Sequence, residues 1–217
     1  MRFKYILLDL DGTVTDSAEG VINSVTYALR KLDYPVEQLG SMMKFIGPPL
    51  KQSFKEFCCF DEDTIQKGVE YYREYYSVTG ITQLSLYGGI ERLLQTLKKH
   101  DKRIVLATSK PEVYAKRILE SCGITEYFDL IAGSTLDASR NTKAEVLTYI
   151  LDTIKLCSLD DCLMVGDRKH DIIGAHSLGL KCAAVLYGYG NRAEFEQYGA
   201  DYIVDSVEEL EEFLVKA

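Results

Sequence analysis

The sequence contains no run of about 18 apolar residues, so no membrane-spanning helix is expected. It also has no excess of basic charge: 25 Lys and Arg stand against 33 Asp and Glu, a net charge of −8. Binding along a phosphate backbone needs a basic surface, which excludes nucleic acid as the main partner. A small anionic substrate remains open if a metal and a few lysines reverse the local field. The six cysteines, Cys58, Cys59, Cys122, Cys157, Cys162 and Cys182, include no CxxC pair and no accompanying histidine cluster. Zinc and disulfides are therefore not expected, and the thiols read as small buried groups in a reducing compartment. Internal repeats and low-complexity segments are absent. The start, Met1-Arg2-Phe3-Lys4-Tyr5, runs straight into Ile6-Leu7-Leu8. That apolar segment is too short for a secretory signal and lacks a small-residue cleavage site. It reads as a buried strand, and the protein as cytoplasmic.

What is present is an α/β pattern. A length of 217 residues suits a core domain with a smaller insert. From about residue 86 onward, short apolar runs alternate with helical patterns. The runs are Ile104-Val105-Leu106-Ala107, Phe128-Asp129-Leu130-Ile131, Cys162-Leu163-Met164-Val165 and Cys182-Ala183-Ala184-Val185-Leu186, with Tyr202-Ile203-Val204 as a short final strand. None alternates polar with apolar, so they read as strands of a parallel sheet buried on both faces. Between them, Ile90, Leu93, Leu94 and Leu97 share one helical face. Another helix is expected to start at Pro111 and end near Gly123. Ser206 and Glu209 are spaced to cap the last helix. The sum is a Rossmann-like, doubly wound parallel sheet. Residues 16–85 show helical periodicity instead, at Val21, Val25, Ala28, Leu29 and Leu32 and again over 61–77, with Asp16 and Glu19 as a helix start. The reading is a core domain, 1–15 and 86–217, interrupted by a small all-α domain, 16–85, with Gly88-Gly89 as a hinge.

Four segments carry candidate chemistry. Asp9-Leu10-Asp11-Gly12-Thr13 follows the first strand, where open α/β sheets bind ligands. Two carboxylates one residue apart can aim at one point, and Gly12 permits close backbone approach. An acidic turn capping a helix is the alternative. Thr108-Ser109-Lys110 follows another strand and offers a hydroxyl plus backbone N–H groups to an anion, or else a simple helix cap by Ser109. Lys143, at the start of the helix 142–154, can neutralise a transferring phosphoryl group, or can be a solvated surface lysine. Gly166-Asp167-Arg168-Lys169-His170-Asp171 places two carboxylates four residues apart across a strand-to-helix turn. Such a pair with open water positions suits Mg²⁺; helix capping by Asp167 is the alternative.

The order of these elements resembles the haloacid dehalogenase superfamily over essentially the whole chain. The phosphatase branch of that family carries DxDGT, matched by Asp9, Asp11, Gly12 and Thr13. A Thr or Ser after a strand is matched by Thr108, a Lys by Lys143, and GDxxxD by Gly166, Asp167 and Asp171. Residues 164–175 and 186–190 resemble bacterial members labelled phosphoglycolate phosphatase or 5′-nucleotidase. Where relatives often carry Tyr-Pro-Gly, this chain has Tyr87-Gly88-Gly89, a looser hinge that leaves the chemistry intact.

The resemblance implies a Mg²⁺-dependent phosphomonoester hydrolase acting on a small phosphate ester, as a monomer or homodimer. Asp9 would be the nucleophile and Asp11 the acid and base. Asp9, Asp167, Asp171 and the main-chain carbonyl of Asp11 would surround the metal. Gly12, Thr108, Ser109 and Lys143 would hold phosphoryl oxygens. The helical insert would be the cap that controls substrate choice, with Lys44 and Gly47 of the loop 44–51 facing the site, unless that loop is a plain helix connection. Tyr71, Tyr72, Tyr75 and Tyr76 suit either base stacking or packing. Gly188-Tyr189-Gly190 reads as a turn, and His170 as pointing away from the metal. The alternatives are a 5′-nucleotidase, a β-phosphoglucomutase-like mutase, a dehalogenase for which Asp11 is superfluous, and a non-catalytic module that accepts phosphate on Asp9.

Overall fold

The computed structural model describes residues 3–137, 139–155 and 158–216, so Cys157 lies outside them. The chain divides into two compact units, one formed by Met1–Asp16 with Leu86–Ala217 and the other by Ser17–Ser85. In chain order the elements begin with β1 (Tyr5–Leu8), β2 (Thr15–Asp16), α1 (Ala18–Lys31), α2 (Leu50–Cys58), α3 (Glu62–Tyr76), β3 (Ser85–Leu86), α4 (Ile90–Lys99) and β4 (Arg103–Pro111). They continue with α5 (Glu112–Ser121), β5 (Leu130–Ser134), α6 (Lys143–Ile154), β6 (Cys162–Gly166), α7 (Lys169–Ser177), β7 (Lys181–Val185), α8 (Arg192–Gln197), β8 (Tyr202–Val204) and α9 (Val207–Lys216).

The larger unit is built on a six-stranded sheet in the order β5-β4-β1-β6-β7-β8, and every neighbouring pair is parallel. Ile6, Leu7 and Leu8 are fully buried, as a strand covered on both faces requires. Strand β1 is central, with Leu8 in register with Leu106 on one side and Val165 on the other. The strand order departs in opposite directions from β1, which puts the topological switch point at its carboxyl end. On one face Leu7, Val105 and Met164 pack with Val146, Leu147 and Ile150 of α6 and Ile172 and Ala175 of α7. The pleat turns Ile6, Leu8, Ile104 and Leu106 to the other face. Helix α4 lies against β4 and α9, burying the expected stripe Ile90, Leu93, Leu94 and Leu97. Ser206 caps α9, its Oγ accepting from the Glu209 N–H at 3.2 Å.

Three expectations shift. The segment after Ala107 stays extended through Pro111, so α5 starts at Glu112 with Pro111 as its cap and Ser109 caps nothing. The cause is local: a residue before proline is pushed out of the helical region, which keeps Lys110 extended. Asp16 does not cap α1. Ser17 occupies that position and makes no capping hydrogen bond with its side chain, and the Asp16 carboxylate accepts from the Tyr189 hydroxyl at 2.8 Å. Not all thiols are buried: Cys58, Cys162 and Cys182 are, Cys122 is half-buried, and Cys59 is exposed at the left-handed end of α2.

In the smaller unit, α1 and α3 bury Val25, Ala28, Leu29, Ile65, Val69 and Tyr76 with Phe54 of α2. Tyr76 is 2% exposed and stacks on Tyr72 with ring centroids 5.3 Å apart. Tyr75 meets Tyr27 at 5.3 Å. These contacts support packing as the role of Tyr72, Tyr75 and Tyr76.

Leu106, fully buried in β4 beside β1, is the test of the larger core. Leu106→Ala should lower the unfolding free energy by about 2–5 kcal/mol in urea titrations.

Candidate active site

The site is assembled at the carboxyl ends of β1, β4 and β6. Asp9 is still held by the sheet, its N–H donating to the Val165 carbonyl at 2.9 Å. The chain then reverses around the Leu10 carbonyl, which accepts from the N–H groups of Thr13, Val14 and Thr15. Gly12 has φ +81°, and a β-carbon there would overlap the Asp167 carboxylate. Gly12 is thus required both by the turn and by Asp167.

Lys143 is the first residue of α6. A capping box fixes that start: Thr142 Oγ1 accepts from the Glu145 N–H at 3.3 Å, and the Glu145 carboxylate accepts from the Thr142 N–H at 2.8 Å. The Lys143 side chain is only 4% exposed, which closes the surface-lysine alternative. Its Nζ lies 2.9 Å from Asp9 Oδ1 and 2.7 Å from Asp171 Oδ1, and donates to the Ala107 carbonyl at 2.7 Å. Asp171 sits in the first turn of α7, where its Oδ2 accepts from the Arg168 N–H at 3.1 Å. Asp171, not Asp167, therefore caps this helix. Asp167 is fully buried, and its Oδ2 accepts from the Tyr189 N–H at 2.8 Å.

Electrostatics follow from this crowding. Burial pushes the Asp9 carboxyl up to about 6; Lys143 opposes the rise and Asp171 adds to it. Asp167 is held well above the carboxylate range, by burial first and then by the charges of Asp171 and Asp9. For Lys143, burial works against the charge, but Asp171 and Asp9 outweigh it and raise its pKa.

The donor set fits a hard divalent cation. Asp9, Asp167 and Asp171 each offer an oxygen, and these lie within 4.8 Å of one another. Asp9 Oδ1, Asp167 Oδ1 and Asp171 Oδ1 are buried without a hydrogen bond. Lys143 reaches two of them, Asp9 Oδ1 and Asp171 Oδ1, as an ion pair. One ammonium faces three carboxylates, and oxygen-only ligands suit Mg²⁺ or Ca²⁺. His170 is not part of the cluster.

The remaining expected residues divide. Thr108 is buried beside the cluster, and its Oγ1 accepts from the Lys110 N–H at 3.1 Å. Ser109, between two buried neighbours, is half-buried. Asp11 pairs with Lys110, whose Nζ is 3.1 Å from Asp11 Oδ2. Lys44 and Gly47 belong to the smaller unit. Lys44 Nζ donates to the Leu39 carbonyl at 2.9 Å and lies 4.8 Å from the Phe57 ring centre, and Gly47 has φ +101°.

Two segments singled out from the sequence have roles that it did not assign. One contains Lys110. The other is the loop after β7: Tyr189 holds Asp167, the Tyr187 hydroxyl donates to the Thr13 carbonyl at 3.0 Å, and Gly188 lies against Gly12 and Asp167. From the sequence the loop read as a glycine turn within a stretch, 186–190, that resembles bacterial family members, and neither signal carries a charge that would point to Asp167.

With this geometry in place, the comparisons are decisive. A family model described as haloacid dehalogenase-like hydrolase matches residues 6–185. The chain belongs to that family. It is 39% identical to a 5′-nucleotidase of Pseudomonas aeruginosa over 198 residues, covering 91% of this chain and 89% of that one. It is 35% identical to the tyrosine-protein kinase PtkA of Mycobacterium tuberculosis over 212 residues, 96% of this chain and 72% of that one. A solved structure of a predicted phosphatase from Clostridium acetobutylicum superposes with a TM-score of 0.96 at 45% identity, covering 100% of both chains. This member is a phosphoric monoester hydrolase, and phosphatases of the family are generally metal-dependent. Among the described residues, no helix is long and apolar enough to cross a membrane.

Because folding raises the Asp9 pKa, the metal-free protein binds more protons folded than unfolded. Its stability should fall as pH rises from about 4 to about 6. Asp9→Asn should relieve this, stabilising the protein in EDTA at pH 7 by up to about 3 kcal/mol, with the gain vanishing near pH 4 in urea titrations. Gly188→Ala would drive a β-carbon into the Gly12 carbonyl and Asp167. It should lower kcat by about tenfold or more while the far-ultraviolet circular dichroism is unchanged.

Proposed function

We propose that this protein is a Mg²⁺-dependent hydrolase of small phosphate monoesters, phosphoglycolate or similar, that works through an aspartyl-phosphate on Asp9. The observation that carries the reading is Asp9 at the end of the central strand, 2.9 Å from the buried Lys143 ammonium and clustered with Asp167 and Asp171. Asp9, Asp167 and the main-chain carbonyl of Asp11 would hold Mg²⁺, with Asp171 reaching it through water or orienting its ligands. Bound there, the ion supplies neutralisation of charge between nucleophile and phosphoryl group.

The Asp9 carboxylate attacks phosphorus in line, forming an acyl phosphate as the ester P–O bond breaks. Asp11 gives its proton to the leaving oxygen, then takes one from the water that hydrolyses the acyl phosphate. Lys143 and Thr108, with Ser109, hold the phosphoryl oxygens as charge develops on them. We assign the smaller unit the role of cap, with Lys44 and Gly47 of its 44–51 loop reading the leaving group. The protein acts in the cytoplasm as a monomer or homodimer, a reading supported by the free state of the described cysteines.

A second reading of the substrate is a nucleoside 5′-monophosphate. It is supported by the relative named 5′-nucleotidase, 39% identical over 91% of this chain.

The test is turnover of p-nitrophenyl phosphate and a panel of phosphorylated metabolites that includes phosphoglycolate and nucleoside monophosphates. Phosphate release should require Mg²⁺, stop in EDTA and proceed without a sugar bisphosphate. Asp9→Asn should lower kcat by about 10⁴-fold or more in a folded protein; retained turnover would remove Asp9 as nucleophile.

A further inference from the structure

We infer that Lys110 is a positioning residue for Asp11, fixing the carboxylate that exchanges a proton with the leaving group. The inference rests on the phosphohydrolase reading above and adds a side chain to which that reading gives no role.

The starting point is the backbone. Because Pro111 keeps the preceding residue extended, Thr108 and Lys110 are both buried, while Ser109 between them is half-buried. A helix beginning one turn earlier would break that alternation. Here Lys110 instead runs beside Thr108 into the site. Its side chain is 6% exposed, that of Asp11 is 16% exposed, and the two meet at 3.1 Å.

The strand end is braced from outside the site. Gly133 of β5 passes so close to the Lys110 carbonyl that a β-carbon would overlap it. Arg140 then ties Gly133 to the start of α5, donating from Nε to the Gly133 carbonyl at 2.7 Å and from an Nη to Glu112 at 2.8 Å. Lys110 is thus held by its backbone, and its ammonium holds Asp11.

The chemistry gives this a purpose. Lys143 is committed to Asp9 and Asp171, and Lys110 is the cation set against Asp11. A carboxylate one residue past the nucleophile's neighbour is free to rotate about its Cβ–Cγ bond. An ammonium on Oδ2 fixes the carboxylate plane, and a misplacement of about 1 Å in such a group costs on the order of 10²-fold in rate.

Orientation of the acid matters only when the leaving oxygen must be protonated. An alkanol cannot depart as its anion, whereas p-nitrophenolate can. The experiment compares kcat for adenosine 5′-monophosphate, or the best alkyl monoester of the panel, with kcat for p-nitrophenyl phosphate in Mg²⁺. Lys110→Met should lower kcat on the alkyl ester by about 10²-fold and on p-nitrophenyl phosphate by less than about tenfold, with KM nearly unchanged. Lys110→Arg, which keeps the charge, should recover most of the alkyl-ester rate. Lys110→Gln carries the same comparison if the Met variant does not fold. An equal fall on both esters, or no recovery with Arg, overturns the assignment. A wild type that turns over neither ester overturns the parent reading and this one with it.

Discussion

An ammonium group buried in a protein needs negative charge around it, and breaking such an arrangement is costly. Lys143 has two carboxylate oxygens and a carbonyl within 2.9 Å. They come from the residue that follows β1, from β4 and from α7, and the lysine itself from α6. Four elements must therefore arrive in register for one charge to be accommodated. The capping box at Thr142 sets where α6 begins, the ladder to Val165 sets the height of Asp9, and the first turn of α7 sets Asp171. The arrangement leaves a surplus, because three carboxylates face one ammonium. A buried ion pair seldom adds net stability over apolar packing, and a surplus of like charge subtracts from it. Proteins keep such features where function requires them.

The same cluster explains the glycines around it. Asp167 is enclosed by Gly12 from the first loop and by Gly188 from the loop after β7. Both sit where a side chain would displace a carboxylate whose second oxygen has no hydrogen bond. The backbone is shaped here around an acid, and the acid in turn needs a cation.

Much of this could be read from the residues. Unbroken apolar runs gave the parallel strands, because a strand covered on both faces has no polar positions to spare. The acidic pairs after β1 and β6 marked the site because carboxylates at strand ends have few structural uses. Lys143 could not be separated from a surface lysine by spacing alone; its burial depends on Asp9 and Asp171, which lie 134 and 28 positions away along the chain. Lys110 was hidden for a related reason. The expectation that a helix begins at Pro111 was off by one residue, and the restriction proline places on its predecessor changes which side chains face inward. Tyr189 acts through its main-chain N–H, a group every residue but proline carries, so nothing in its side chain announces the role. The exposed thiol of Cys59 follows from a left-handed helix end, a backbone choice that composition does not encode.

The central place of β1 has a consequence for how the chain is made. Its two partners, β4 and β6, begin at Arg103 and Cys162, so β1 is made well before either neighbour exists. All of Ser17–Ser85 is synthesised in between, with its core formed from its own residues. Long-range parallel pairing of this kind is slow and leaves apolar strand surface waiting for partners. A nascent chain stalled before Arg103 would hold the whole helical segment Ser17–Ser85 and a β1 with neither partner. Of the charged groups at the site it would carry Asp9 but not Lys143, Asp167 or Asp171. The charge cluster is thereby complete only once synthesis has passed Asp171.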